Sequence, residues 1–452
     1  MELARSEALS LACTSGGAEL RSPSTVSSRV PLRVAGAVLG LVLALVGVPS
    51  AAAGGVWKKE RVVGGYVGGP DGQPLAVNDR GDVVLPVGIG GSRMGVAVRR
   101  AGGPLERPRR VPGAEDAVRS DRGAVAALSP TGEGIVAWEW FDRSEAGCCM
   151  VLRGSLLKAG RIGRAQTVSL RGELAFGVIA AGGPDGRMGL VWYSRRSVWG
   201  AFASARSGFE APQEISGFQG GFPIGLGFDR AGVATWLWTP GLSASSVRSA
   251  RRSPSGAVSR PRTVLRRGRG MSDFRSFADT VAQVDAAGAQ VMVWTREASF
   301  NQTIEAAFAS GGGPFGRVQT LGRGFDPVLA VAPDGFAIAG WTEERATGPV
   351  VRAALRRPGG RFGRSMVVSA PGETRGLDPR VAIASGGHAA VMWTGSRFVI
   401  RAALRRPGGR FTAPATLGKG DAHSGNVGID ARGRAIAAWR GEPRGLAVFT
   451  AR

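Results

Sequence analysis

The chain is 452 residues long and 43% apolar, with a formal charge of +24 and only two His and two Tyr. The apolar fraction suffices for a core and so excludes a disordered polymer, while His388 and His423, far apart in sequence, exclude chemistry built on a histidine cluster. Gly numbers 72 without a collagen period, which fits many tight turns between short strands.

In chain order, residues 1–28 carry no pattern and read as an overlong leader. Residues 34–48 are an unbroken apolar run with Arg29 and Arg33 before it and Pro49 and three alanines at 51–53 after it. That is the make-up of a secretory signal peptide, with cleavage expected after Ala53; an uncleaved anchor is the alternative. The expected organisation is therefore a leader over 1–53 and a single domain over 54–452. Without the four Arg and three Glu of the leader the charge is +23. Outside a membrane such a surface favours acidic glycans and other extracellular polyanions, although Arg in ordinary solvated positions would give the same balance. Cysteine use agrees with export: Cys13 lies in the leader, leaving only the adjacent Cys148 and Cys149, for which a strained vicinal disulfide, free buried thiols and pairing with another chain are all open.

Beyond the leader one pattern recurs eight times. A Gly stands six residues before a fixed position that holds Trp in seven copies: Gly132/Trp138, Gly186/Trp192, Gly232/Trp238, Gly288/Trp294, Gly335/Trp341, Gly387/Trp393 and Gly433/Trp439, with Gly81/Val87 as the degenerate first copy. Successive Trp are 46 to 56 residues apart, and no helical periodicity intervenes. Such a period belongs to arrays whose units bury their faces only against neighbours. The expected fold is all-β: an eight-bladed β-propeller of four-stranded antiparallel blades, with seven blades as the alternative.

The sixth unit shows the plan. Two nearly continuous apolar runs, suited to a sheet covered on both faces, flank a hairpin at Pro333-Asp334-Gly335. Gly supplies the positive φ and Asp the cap there and at Pro184-Asp185-Gly186 and the turns containing Asp229, Asp285 and Asp430. A second Gly turn joins the third and fourth strands; the segment RAALRRPGGRF stands verbatim at 352–362 and 401–411, the mark of an internal duplication. The recurrent Trp and Phe are expected to pack blade against blade. The eighth unit lacks a fourth strand, and residues 54–63 overlay 359–368, so the N-terminal segment is expected to complete the last blade and remove a free edge.

With these motifs in place, the mature chain resembles secreted bacterial repeat propellers, a loosely sialidase-like or quinoprotein-like architecture. The resemblance implies a fold and little chemistry. WD40 dipeptides, the kelch Tyr and the sialidase Asp-box spacing are all absent, so no functional residue carries over.

The candidate site residues sit in two extended connections: Trp140, Asp142 and Arg143 after Trp138, ending at the Cys pair, and Arg266, Arg267, Arg269, Phe274 and Arg275 between the fourth and fifth units. Both should leave the face opposite the Gly hairpins, and Arg beside aromatics suits phosphate, sulfate or carboxylate. The pairs Arg99/Arg100, Arg251/Arg252, Arg356/Arg357 and Arg405/Arg406 should fall near the outer rim of the hairpin face as a basic collar. No cofactor or metal is expected, since one carboxylate per turn coordinates Ca²⁺ poorly. The expected role is a monomeric, secreted, non-enzymatic binding or scaffold module at the cell surface for an anionic polymer or a protein partner. A glycan-active hydrolase or lyase with its site in the central mouth, where Tyr193 is the one credible Tyr nucleophile, is the alternative.

Overall fold

The computed structural model describes residues 57–60, 75–89, 93–114, 123–142, 149–170, 174–194, 197–217, 220–241, 246–266, 280–298, 301–370, 378–441 and 445–451, all within the second of two compact units, 51–452. The apolar run at 34–48 lies outside them.

Strands dominate, interrupted among the described residues by 3-10 turns at Pro184–Gly186 and Ser396–Phe398. Each sheet is an antiparallel meander in chain order. The first comprises Ala76–Val77, Val83–Ile89, Arg93–Arg99 and Arg109–Arg110; the sixth, Phe325–Val331, Ala337–Glu343, Val350–Arg356 and Met366–Val367. In the second and third sheets the outer edge is split in two, which raises their strand number to five. The final sheet has seven strands, because Ala415–Ile429 pairs at its start with Val399–Arg405 and at its end with Ala435–Gly441. A register shift between Asp421 and Asn426 lets that one strand leave the outer edge of the seventh repeat and become the first strand of the eighth. His423 therefore lies within a strand.

The first strands of neighbouring sheets pack on one another, at glycines where a side chain has no room. A methyl group on Gly182 would overlap the Leu128 carbonyl, and one on Gly227 would lie 2.6 Å from Cβ of Val284. Between the sheets the repeated indoles fill the core: Trp138, Trp192, Trp238, Trp341, Trp393 and Trp439 are fully buried, and Trp294 nearly so. Each joins a cluster that spans two adjacent repeats, as Trp192 does with Ile135 and Val125. Burying a large indole at each such contact stabilises neighbour against neighbour, which is how a repeat with little internal core holds together.

The Gly hairpins form as the sequence predicts. Gly335 has φ +90° and Gly433 φ +79°, and the carboxylates of Asp229, Asp285 and Asp430 each accept backbone amides across their own turns. The hairpins are also bonded to one another. Arg230 N donates to Ala286 O at 2.8 Å, Ala286 N to Pro333 O at 3.1 Å, Gly386 N to Asp334 Oδ2 at 2.7 Å, and Ala431 N to Asp79 O at 3.1 Å. The first and last sheets share a cluster of Leu85, Val87 and Ala97 with Ile436, Ala438 and Val448. Lys58–Glu60 adds antiparallel to Gly445–Ala451, with Lys58 opposite Thr450 and Glu60 opposite Val448.

Candidate functional site

The described members of the sequence-predicted site, Trp140, Asp142, Cys149 and Arg266, all stand on strands. Strand Gly134–Asp142 continues four residues past Trp138, with Trp140 opposite Val151 and Asp142 opposite Cys149, so Trp140, Asp142 and Cys149 belong to strands where the sequence suggested a long connection. Ladder pairing is the physical reason: it satisfies backbone groups that a loop would leave to water. Trp140 is half-buried beneath Arg153, whose guanidinium carbon lies 5.4 Å from the ring centroid. Arg266 is likewise the last residue of a strand, Arg262–Arg266, exposed and opposite Ser246. Trp140 stands in the second sheet and Arg266 in the fourth, with the first strand of the third sheet packed between theirs. Arg143, Cys148, Arg267, Arg269, Phe274 and Arg275 lie outside the described residues.

A cavity of about 320 Å³ is bounded by first strands, with Ile179, Leu226, Val281 and Val331 on its wall and Asp229 and Arg230 toward the hairpins. Asp229 is committed to its own turn and to Arg251 at 3.3 Å. Tyr193 stacks on Phe222 with centroids 4.4 Å apart, an aromatic packing role.

Charge concentrates on the hairpin face instead. The second residue after each Gly hairpin lies opposite the end of the third strand, and in four repeats that end is an arginine: Arg99, Arg252, Arg356 and Arg405. Their surroundings differ. Burial holds the Arg99 guanidinium below the ordinary arginine range, with Arg434 adding to the effect and Asp430, Glu60 and Asp82 opposing it. Arg252 stacks 4.2 Å over the Phe202 ring and pairs with Glu210 at 2.5 Å. Arg356 stacks 4.7 Å over Phe308 and donates to the carbonyls of Gly360 and Gly335 at 2.8 and 3.0 Å; burial lowers its pKa while Asp285 raises it. Arg405 has no such compensation. Burial lowers its pKa and Arg357 lowers it further; its Nε, like that of Arg252, is buried without a hydrogen-bond partner.

Arg405 borders a groove of about 700 Å³ between the sixth and seventh repeats, whose wall also includes Arg356, Arg357, Arg361 and Arg364 and an apolar stretch of Phe336, Leu355 and Met366. No carboxylate lines it. In the corresponding groove between the third and fourth repeats, about 780 Å³, the cations Lys158, Arg187, Arg206 and Arg252 face the carboxylates Glu133, Asp185 and Glu210. Among the described residues no group of three or more His, Cys, Asp or Glu is placed to hold a metal ion.

No protein-family model matches the chain, and no curated protein matches it in sequence. Solved structures do match. The BP39L lectin from Burkholderia pseudomallei superposes with a TM-score of 0.55 at 13% identity, over 76% of this chain and 99% of the lectin. An ulvan lyase, described as a new family of polysaccharide lyase, gives 0.48 at 10% identity over 81% of this chain and 98% of the lyase. The WD40 repeats of RRP9 give 0.45 at 10% identity over 89% of this chain and 98% of theirs. At these identities the likeness is one of fold, and the neighbours are propeller-type proteins.

Proposed function

We propose that the chain is an exported, non-enzymatic propeller of eight blades, with Lys58–Glu60 as the outer strand of the last, which binds an acidic polysaccharide by its hairpin face. One observation carries the binding reading. The turns between third and fourth strands hold exposed Arg100, Arg206, Arg357, Arg361, Arg406 and Arg410, while the carboxylates in the same turns are Glu106 and Glu210, the latter already engaged by Arg252. Guanidinium forks match the geometry of carboxylate, sulfate and phosphate groups, and an array of them on one face suits a ligand that repeats such groups. The eight Gly repeats and the pairing of residues 58–60 with the last strand support the blade count. The apolar segment 34–48 supports export. That a lectin shares the fold agrees with a binding role. Trp140, Asp142 and Arg143 together with Arg266, Arg267, Arg269, Phe274 and Arg275 are proposed as a second contact for the polymer or for a protein partner.

The test is retention of the 54–452 protein on acidic and neutral polysaccharides at two salt concentrations. Binding confined to the acidic polymers and weakened by salt, with no product released, is the expected result. Binding that ignores salt would overturn the electrostatic basis, and released product would move the protein among glycan-active enzymes.

A further inference from the structure

The groove between the sixth and seventh repeats differs from the corresponding groove between the third and fourth in that no carboxylate lines it. The verbatim duplication explains how it arises. Each copy of RAALRRPGGRF ends a third strand and turns back, and neither copy contains an acid. Because the two copies occupy adjacent repeats, the turn of the first, carrying Arg357 and Arg361, faces the strand end of the second, carrying Arg405. In the fourth repeat the equivalent arginine meets Glu210 from the third, since that neighbour's turn does contain an acid. The duplication therefore set cation against cation. Among the described residues, the side chains of Arg357, Arg361, Arg364 and Arg405 make no hydrogen bond or ion pair with protein.

A partly buried guanidinium set beside another cation is a cost to folding that an anionic ligand would relieve. We infer that this groove is a subsite for a tetrahedral oxyanion ester, a sulfate or phosphate group carried on a sugar ring. Several forks, from one turn and from the neighbouring strand end, offer more donors than one planar carboxylate accepts, whereas a tetrahedral oxyanion takes them from several directions. The volume of about 700 Å³ is that of a site for a whole sugar residue rather than a bare ion. Phe336, Leu355 and Met366 supply an apolar wall for the C–H face of the ring. The assignment rests on the polyanion reading and narrows it to ester-bearing polymers held at one place.

Calorimetric titration of the 54–452 protein with N-acetylglucosamine 6-sulfate, glucose 6-phosphate, glucuronate and glucose tests it. Saturable binding of the two esters is expected, at least tenfold tighter than glucuronate, with glucose silent; the stronger of the two esters identifies the source. Arg405→Gln and Arg357→Gln should each weaken ester binding by tenfold or more, and Arg323→Gln, at an exposed strand end outside the groove and the basic turns, should leave it unchanged. Arg357 is exposed on its turn, so its substitution keeps the test open even if the Arg405 variant misfolds. Esters that bind no better than glucose, or bind Arg357→Gln as tightly as the parent, overturn the subsite. If acidic polymers still bind in a salt-sensitive way, the wider reading survives that failure; ester binding without retention on any polymer would sink the wider reading and keep the subsite.

Discussion

Asp79 accepts hydrogen bonds from both the backbone amide, at 3.0 Å, and the hydroxyl of Ser385, a residue 306 positions further along the chain. Its own carbonyl takes the Ala431 amide at 3.1 Å, so the first, seventh and eighth hairpins meet at this one aspartate. Asp79→Ala should leave the Ser385 donors without this acceptor and cost about 1–3 kcal/mol. Urea unfolding measures it, and an unchanged midpoint would mean that the junction is incidental.

Strand Lys58–Glu60 covers the edge of Gly445–Ala451, and Glu60 Oε1 accepts from the Thr450 hydroxyl at 2.8 Å. A protein beginning after Glu60 should melt at lower temperature and associate as its concentration rises, because an unpaired strand edge recruits other chains. Light scattering alongside the melt separates the two effects.

Arg252, which is buried, and Arg405, which is partly buried, should answer oppositely to the same substitution. Arg252→Met loses the Glu210 pair and the stacking on Phe202 and should cost about 1–2 kcal/mol. Arg405→Met exchanges an unpartnered cation near Arg357 for an apolar side chain of similar length, and stability should hold or rise by up to about 1 kcal/mol. If both variants were equally destabilised, Arg405 would be a structural residue and no longer one retained for a ligand.

Glu343 makes part of the fold sensitive to acid. Burial pushes its pKa up, but hydrogen bonds from Arg345 at 2.5 Å and Arg352 at 3.0 Å outweigh that and hold it below the ordinary 4.5. Because the folded-state value is depressed, the stabilisation is present above the unfolded value and lost as pH falls through the folded one. Glu343→Gln should destabilise the protein near neutral pH and flatten its loss of stability between about pH 5 and pH 3. Parallel pH profiles for parent and variant would rule this out.

Gly182→Ala should cost about 1–3 kcal/mol through its collision with the Leu128 carbonyl, although the substitution favours strand over loop. Gly348→Ala offers the contrast: nothing surrounds it, and only its φ of +99° resists a side chain.

Those glycines show where sequence reading succeeded and stopped. Gly335 and Gly433 were legible because a turn Gly recurs at fixed distance from Trp and its partner lies only a few residues away. The close approach of Gly182 to Leu128 is a contact between sheets, with no local mark. The same holds at the candidate site. The overlay of residues 54–63 on 359–368 anticipated the pairing of Lys58–Glu60, and the Arg pairs were placed on the hairpin face. What the repeats hid is that Glu210 neutralises Arg252 from the neighbouring sheet while nothing does so for Arg405, since that difference depends on which repeats adjoin. Strand ends past Trp138 were misjudged because turn-like residues such as Asp142 were read as loop although the ladder runs on through them.

The duplicated segments bear on how the chain finds its structure. Residues 352–362 and 401–411 carry the same eleven side chains, so during folding each can dock where the other belongs, and nothing within the segment identifies the mistake. The strands next in the chain do identify it. The first copy is succeeded by the two-residue strand Met366–Val367, the second by Ala415–Ile429, whose far end must also pair with Ala435–Gly441. An exchanged copy cannot satisfy that second pairing, so the long shared strand acts as a proofreader, and shortening it would let trapped, misassembled chains accumulate.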